Sequence, residues 1–345
     1  MRAVRARPHL AAAAVATAST AAFTRCRHGP PDPSQAVSDQ EWYRRQDAHI
    51  RLGLPLVEEA RQGWWHEVTR RIRDNGESVD ARAADGTTVL HVAAKAGRRR
   101  LCEELLRRGA AAHARDHRGS TALLCCAENG SETVAATLEA NDASFDINEQ
   151  DSSGACALSI AARLGHVRLI RWLLSHTELR PMIVDLYGVA ALHKAVSFGQ
   201  TQCVEALLMD ERVRAAIDQP VGLPTAPDAF AAKSGGETAL ILAAKHTYFF
   251  HHTQHTRIAR SLLAAGADPN IADGHGRTAV HSAAAAGNVK ILHELVSSGR
   301  VAPRTWLRED GGGKSVLDLA RADQDARALV LEQVQKARSR CKEDG

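Results

Sequence analysis

The densest group of potential metal ligands in the sequence is a run of histidines between residues 246 and 255. His251 and His255 are four residues apart and would share one face of a helix, with His246 and His252 close by. Zinc sites use such spacing. The run contains no HExxH frame and no cysteine, so nothing in it fixes a third and a fourth ligand. We therefore predict no metal site and interpret the run as a solvated or partner-contacting loop.

Two other segments resemble parts of catalytic sites. Residues Gly311–Ser315 read GGGKS, and Gly-Lys-Ser ends a phosphate-binding loop, but the first glycine at the required distance and a preceding strand are missing. Cys125 or Cys126 could be a nucleophile, but both stand in an apolar, helix-like run that is typical of buried structural thiols. No GxGxxG, GxSxG or HRD-type motif occurs. The sequence therefore predicts a non-catalytic protein that uses no cofactor.

A local basic patch comprises Arg98–Arg100 together with Arg107 and Arg108. It could meet phosphate, nucleic acid or an acidic partner. Its charges lie around helix ends without interleaved aromatic residues, which is typical of a solvated surface. The whole chain has 44 Lys+Arg against 40 Asp+Glu, a balance that does not by itself indicate nucleic-acid binding.

Composition limits the core that must position these residues. Aromatic residues make up only 4% of the 345 residues, so the core has to be built from Ala, Leu and Val, which favours close helix packing over a β-sandwich. No stretch approaches the roughly 20 apolar residues of a membrane span. The seven cysteines include no CxxC pair, which argues against a disulfide framework and for thiols in a reducing compartment.

The N-terminal segment has a different composition, with arginines and no acidic residue before Asp32. Such a start is typical of an organellar transit peptide, while a disordered tail and a weak secretory signal remain alternatives. We treat residues 1–40 as a disordered or targeting segment. The localisation stays open between the cytoplasm and, if residues 1–35 are a transit peptide, a mitochondrion or plastid.

An internal repeat indicates how the rest of the chain is organised. Each unit reads as a turn, a short helix with paired small residues, a glycine break and a second helix with paired leucines. One unit cannot cover its own apolar face, but stacked units can, which makes a solenoid. The first helices of the seven units begin at the following residues: Thr88, Thr121, Cys156, Ala190, Thr238, Thr278 and Ser315.

This pattern resembles the ankyrin repeat. The turn signature Asp-x-x-Gly-x-Thr is intact at Asp116–Thr121 and Asp273–Thr278, although the helix-starting proline of the family is missing from every unit. The resemblance implies an all-α, ankyrin-type helical repeat solenoid with short β-hairpin turns. It also implies that the recurring His91, His193 and His281 are structural. We expect an N-terminal capping unit at 41–82, the solenoid at 83–336 and a C-terminal tail at 337–345.

The resemblance further implies a concave groove, made of hairpin tips and first helices, that binds a partner protein. We expect a monomeric, non-catalytic scaffold or adaptor whose partner the sequence does not identify. The alternatives are an accessory subunit of an enzyme complex, or phosphate or nucleic-acid binding through Arg98–Arg100. Two insertions, at 218–236 and 246–256, interrupt the repeats; three prolines favour an exposed, extended loop in the first.

We place the partner site over the third to fifth units, between these insertions, because groove positions are most apolar there. Clustered exposed aromatic residues need a reason in a soluble protein, and interface hot spots favour them. Packing of the aromatic residues beneath the inserted loops is the alternative. The predicted partner-binding residues are Leu164, Leu186, Tyr187, Val189, Phe198, Lys245, His246, Tyr248, Phe249 and Phe250.

Overall fold

The computed structural model describes residues 55–142, 145–222, 235–245 and 252–343. The chain divides into a unit Met1–Pro55, which apart from Pro55 lies outside the described residues, and a unit Leu56–Gly345. The described α-helices of the second unit are α1 (Leu56–Arg61), α2 (Trp65–Asp74), α3 (Val89–Lys95), α4 (Arg99–Arg107), α5 (Ala122–Asn129), α6 (Glu132–Ala140), α7 (Ala157–Leu164), α8 (Val167–Leu174), α9 (Ala191–Ser197), α10 (Thr201–Leu208), α11 (Glu211–Ala215), α12 (Ala239–Lys245), α13 (His252–Ala264), α14 (Ala279–Ala285), α15 (Val289–Ser297), α16 (Pro303–Leu307), α17 (Val316–Leu319) and α18 (Gln324–Glu343). A 3₁₀ turn, Ala320–Ala322, separates the last two.

The helices form antiparallel pairs that stack in two layers. One layer contains the first helix of each pair, in the order α1, α3, α5, α7, α9, α12, α14 and α17, and each packs on the next. The second helices pack in the same way in the other layer, from α4 through α6, α8, α10, α13 and α15 to α18. This arrangement confirms the predicted all-α repeat solenoid.

Paired alanines allow the first helices to lie close together. Ala93 and Ala94 in α3 are fully buried, as are Ala161 and Ala162 in α7. A side chain of one carbon lets neighbouring backbones approach without leaving a void, and it loses no rotamer freedom on burial. Leucines such as Leu105 fill the space between the two layers. The helical core is thus apolar with few aromatic residues.

An aspartate organises five of the described hairpin turns between units. Oδ1 of Asp116 accepts hydrogen bonds from the backbone N–H groups of Arg118 and Ser120, both at 2.8 Å. Asp151, Asp185, Asp273 and Asp310 bond the N–H groups two and four residues later in the same way. The acceptor atoms and distances recur closely at these four turns. Only isolated bridges such as Gln150–Cys156 pair the hairpin arms among the described residues.

Backbone hydrogen bonds connect each hairpin tip to the next. His117 N donates to Asp85 O at 2.9 Å, and Ser152 N donates to Arg118 O at 2.9 Å. Leu186 N continues this ladder by donating to Ser153 O at 3.0 Å. The ladder fixes the spacing of the tips, so residues at equivalent turn positions lie side by side.

The first insertion extends from the hairpin between the fourth and fifth units. Val221 N donates to Glu237 O at 2.9 Å, which closes the base of the hairpin, while 223–234 lie outside the described residues. Gly222 N donates to Gly188 O at 3.4 Å, and Gly274 N donates to Gly235 O at 3.0 Å. The ladder therefore continues across the base of the insertion.

The two ends of the solenoid differ from the internal units. In the capping pair α1–α2, the carboxylate of Glu59 is fully buried and lies 2.8 Å from Arg71 Nη1. At the other end, α18 extends to Glu343 with Ala337 buried, so 337–343 belong to the last helix. Trp306 of α16 is also buried there. Both terminal pairs thus cover the apolar side of a neighbouring unit.

Candidate protein-interaction face

The hairpin tip of the fourth unit is held rigidly by Asp185. Its Oδ1 accepts hydrogen bonds from Tyr187 N at 2.9 Å and Val189 N at 3.0 Å, and its Oδ2 lies 2.9 Å from Lys194 Nζ. Asp185 is buried, and the ion pair ties the tip to helix α9. Because the turn and the helix are cross-linked in this way, side chains on the tip project from a preorganised backbone.

The tip presents two large apolar side chains to solvent. Leu186 is 65% exposed and Tyr187 is 76% exposed. The same two turn positions hold polar residues or glycine in the other units with an aspartate-centred turn. Those pairs are His117 and Arg118, Ser152 and Ser153, Gly274 and His275, and Gly311 and Gly312. The fold therefore does not require apolar residues at these positions.

Two exposed apolar residues also lie at the C-terminal ends of the first helices of the third and fourth units. Phe198, the residue after α9, is 56% exposed, and Leu164, the last residue of α7, is 40% exposed. The residue before the helix-ending glycine is Ala96, Asn129 or Ala286 in the other described units with this break. We call Leu164, Leu186, Tyr187 and Phe198 the apolar face. Met209 and Leu331 are the other exposed large hydrophobic residues among those described.

The remaining predicted partner residues have different surroundings. Val189 is half-buried and contributes its backbone N–H to the Asp185 turn. Lys245 is exposed, with Nζ 2.7 Å from Glu237 Oε1. The other four residues of the prediction lie outside the described residues: His246, Tyr248, Phe249 and Phe250.

The groove of the first two units has a different character. A cavity of about 480 Å³ is lined by the capping pair together with hairpin tips and first helices of these units. Its charged walls neutralise each other, since Arg61 pairs with Asp85 and Lys95 Nζ lies 2.7 Å from Glu128 Oε2. Paired charges of this kind keep the surface hydrated. An apolar partner segment would find more exposed apolar surface in the third and fourth units.

The recurring histidines connect successive units. His91 Nδ1 accepts a hydrogen bond from Thr88 N at 3.2 Å, so Nε2 carries the ring proton and donates to Ser120 O at 2.9 Å. His193 and His281 make the same pair of bonds, to Gln219 O at 2.8 Å and Arg308 O at 3.0 Å. Burial lowers the pKa of all three imidazoles. Both ring nitrogens are occupied by backbone, which is a structural arrangement.

The cysteines and the glycine-rich segment have structural surroundings. Burial raises the pKa of the Cys125 and Cys126 thiols to about 12, so neither is a thiolate nucleophile near neutral pH. In the glycine-rich segment, Asp310 Oδ1 accepts hydrogen bonds from Gly312 N and Lys314 N at 2.9 and 3.0 Å. Those N–H groups are therefore not directed at a phosphate. The segment forms a repeat turn.

The part of the chain that the structure describes offers neither a group of metal ligands nor a membrane-spanning helix. Within it, no three His, Cys, Asp or Glu side chains are grouped so that they could hold a metal ion. His246 and His251 lie outside the described residues, and His255 is buried in α13. No helix in the described ranges has the length and apolar character needed to cross a membrane.

Comparison with known proteins gives consistent matches to one family. Models described as ankyrin repeats match residues 60–151, 141–221 and 247–296. The chain is 28% identical over 248 residues to the E3 ubiquitin-protein ligase KEG of Arabidopsis thaliana, which is 64% of this chain and 15% of the ligase. It is 33% identical over 171 residues to ankyrin repeat domain-containing protein 63 of Mus musculus, 47% of this chain and 43% of that protein.

A solved structure shares the fold. The ankyrin repeat domain of human ASB11 superposes with a TM-score of 0.55 at 24% sequence identity, over 72% of this chain and 98% of that one. The matched region spans less than half the length of each of the two curated relatives. The similarity therefore covers the repeats and not the whole of those proteins.

Proposed function

We propose that this chain, which belongs to the ankyrin repeat family, is an adaptor that binds a partner protein through the apolar face. Ankyrin repeats indicate a protein–protein interaction domain. One observation supports binding through the apolar face: Leu186, Tyr187 and Phe198 are more than half exposed at positions where other units carry polar or small residues.

Burial of these side chains would supply the affinity. Aromatic side chains remove a large apolar area from water on binding, and a rigid tip loses little conformational entropy when it is covered. Asp185 and its ion pair with Lys194 provide that rigidity. The partner segment that fits is therefore apolar, and it would lie across the tips and first helices of the third and fourth units.

The adaptor is proposed to act without catalysis of its own. The buried thiols and backbone-bonded histidines described above serve the fold. If the captured partner is an enzyme, the chain acts as an accessory subunit of that enzyme. The relative named as an E3 ubiquitin-protein ligase shares 15% of its length with the match, so its activity is not transferred.

The test replaces two exposed aromatic residues of the apolar face and compares the loss of partner binding with that caused by replacing exposed apolar residues elsewhere. A photo-crosslinking residue at Leu186 first identifies the partner. Tyr187→Ala with Phe198→Ala should then weaken partner binding by about 2 kcal/mol or more, roughly thirtyfold in Kd, as expected for hot-spot aromatics. The double variant should fold normally because both side chains are more than half exposed.

The matched control is Met209→Ala with Leu331→Ala, which removes exposed apolar side chains outside the apolar face. It should leave the Kd within twofold. Equal loss of binding in both double variants, or full binding by the Tyr187 and Phe198 variant, would contradict the proposed site. Circular dichroism of each variant separates loss of binding from loss of folding.

A further inference from the structure

A second, differently charged cleft lies between the second helices α2 and α4. It encloses about 870 Å³ and is lined on one side by Thr69 and Arg73 and on the other by the first turns of α4. The cleft is built from the layer of second helices, whereas the apolar face is built from hairpin tips and first helices. It is therefore a separate surface.

The acidic residues of this cleft are already paired. Glu104 accepts from Arg107 at 2.9 Å and from Arg108 at 2.8 Å, and Glu103 lies 3.3 Å from Arg107. Arg99 and Arg100 are exposed, and no described carboxylate lies within ion-pair distance of them. The rim of the cleft thus carries positive charge without a compensating partner in the described residues.

Arg98 is held in place by an aromatic ring. Its guanidinium carbon lies 5.4 Å from the ring centroid of Trp65, a cation–π contact with the capping unit. Arg98 lines the cleft, whereas Trp65 is half-buried and lines the neighbouring groove of the first units, so the contact holds Arg98 at the boundary between the two surfaces. This interaction fixes one of three consecutive arginines while leaving its N–H groups available.

The residues equivalent to Arg98 in other units make hydrogen bonds that stabilise the fold. His166 Nε2 lies 3.0 Å from Glu128 O, and Gln200 donates to Arg163 O at 3.2 Å, so both side chains bond the preceding unit. Asn288 instead caps its own helix by accepting from Ile291 N. Three consecutive arginines at this register occur in the first unit alone among the described units. The other described units therefore stack without a run of arginines at this register.

We propose that the cleft between α2 and α4 binds an acidic segment, rich in Asp and Glu, of a protein partner. Consecutive helical residues point in different directions, so Arg98, Arg99 and Arg100 spread around the start of α4 and do not converge on a single phosphate. Carboxylates spaced along an extended chain, at about 3.3 Å per residue, can meet such a spread of guanidinium groups.

Nucleic acid fits this cleft less well. No described aromatic residue lines the cleft, so a base would find no ring there on which to stack. A duplex carries about one phosphate charge per 1.7 Å of its axis, more than the few guanidinium groups of the cleft can match. An acidic segment has fewer charges per length and can place them at the arginines.

The experiment measures binding of a fluorescein-labelled octaglutamate peptide to the full chain by fluorescence anisotropy. At about 50 mM salt, Arg99→Gln with Arg100→Gln should raise the Kd about tenfold or more, because each removed guanidinium loses a charge-assisted contact. Both residues are exposed, so folding should be unchanged. Octaglutamine serves as the uncharged probe and should not bind.

The matched control is Arg304→Gln with Arg338→Gln, which removes the same charge from exposed positions elsewhere. It should leave the Kd within twofold, and Tyr187→Ala with Phe198→Ala should also bind octaglutamate normally. An equal effect of both arginine pairs would show attraction by net charge and overturn the proposal. So would the absence of saturable binding, or tighter binding of duplex DNA that depends on Arg99 and Arg100.

Discussion

Replacing His193 tests whether the recurring histidines connect the units as neutral side chains. His193 is fully buried, accepts from Ala190 N at 3.3 Å and donates to Gln219 O at 2.8 Å. Asparagine can place its carbonyl oxygen where Nδ1 lies, so it keeps the helix-capping bond but is too short to reach the carbonyl. His193→Asn therefore separates the two bonds that His193→Ala removes together.

The expected losses follow from these contacts. His193→Asn should lower the free energy of unfolding by about 1–2 kcal/mol, since it leaves a partly buried carbonyl without its partner. His193→Ala should lower it by about 3–4 kcal/mol, because the capping partner is also lost and a cavity remains. Urea unfolding followed by circular dichroism measures both values. His66→Asn, an exposed histidine on α2, is the control and should change stability by less than about 0.5 kcal/mol.

The pH dependence gives an independent result. Burial lowers the pKa of His193 in the folded chain, so the unfolded chain binds a proton more readily. Stability from this site is therefore complete above the unfolded pKa of about 6.5 and is lost as the pH falls toward the folded value. His193→Asn should lose less stability than the wild type between about pH 7 and pH 5. An unchanged pH slope would show that His193 is not neutral in the folded state and would refute the reasoning.

Two further substitutions test charge pairs at other places in the stack. Burial acts to lower the pKa of His113, but the carboxylates of Glu149 and Asp142, at 3.2 and 2.8 Å, outweigh burial and raise the pKa. The charged imidazole should therefore stabilise the fold below about pH 6.5, and this stabilisation should be lost as the pH rises through the folded pKa. His113→Gln should accordingly reduce stability at about pH 5.5 by roughly 0.5 kcal/mol, discounted for an exposed side chain, and less at about pH 8; the opposite pH trend in urea unfolding would contradict it. Arg71→Met should lower the free energy of unfolding by about 3 kcal/mol or more, because it leaves the buried Glu59 carboxylate uncompensated. Arg71→Met combined with Glu59→Met should recover most of that loss. If the double variant recovers nothing, lost packing and not the unpaired charge is responsible.

The repeat fold was predictable because its information is periodic. A turn aspartate and glycine, paired alanines and paired leucines each recur about one unit apart, so the neighbours of any repeat residue could be assigned from the frame. The structural role of His91 was implied by the resemblance to the ankyrin repeat. The exposure of Leu186 and Tyr187 could be anticipated too, because these two turn positions are exposed in every described unit with an aspartate-centred turn.

Features that break the period could not be predicted. The cation–π contact of Arg98 with Trp65 joins the first unit to a capping pair that lacks the frame. The ion pair of Lys194 with Asp185 depends on the rotamer of a long side chain, which sequence spacing does not fix. The extent of α18 was also missed, because that helix buries residues such as Ala337 without the repeat signature.

The hydrogen bonds at the base of the first insertion should allow the chain to be cleaved or extended there without loss of the fold. Because Gly222 bonds back to Gly188 and Gly235 bonds forward to Gly274, the neighbouring tips remain connected on both sides of 223–234. The spacing of the tips is thus independent of the covalent path between Gly222 and Gly235. Cleavage of the chain between Gly222 and Gly235 should therefore give two fragments that can still associate through the neighbouring tips. A domain inserted there should leave the stacking of the repeats unchanged.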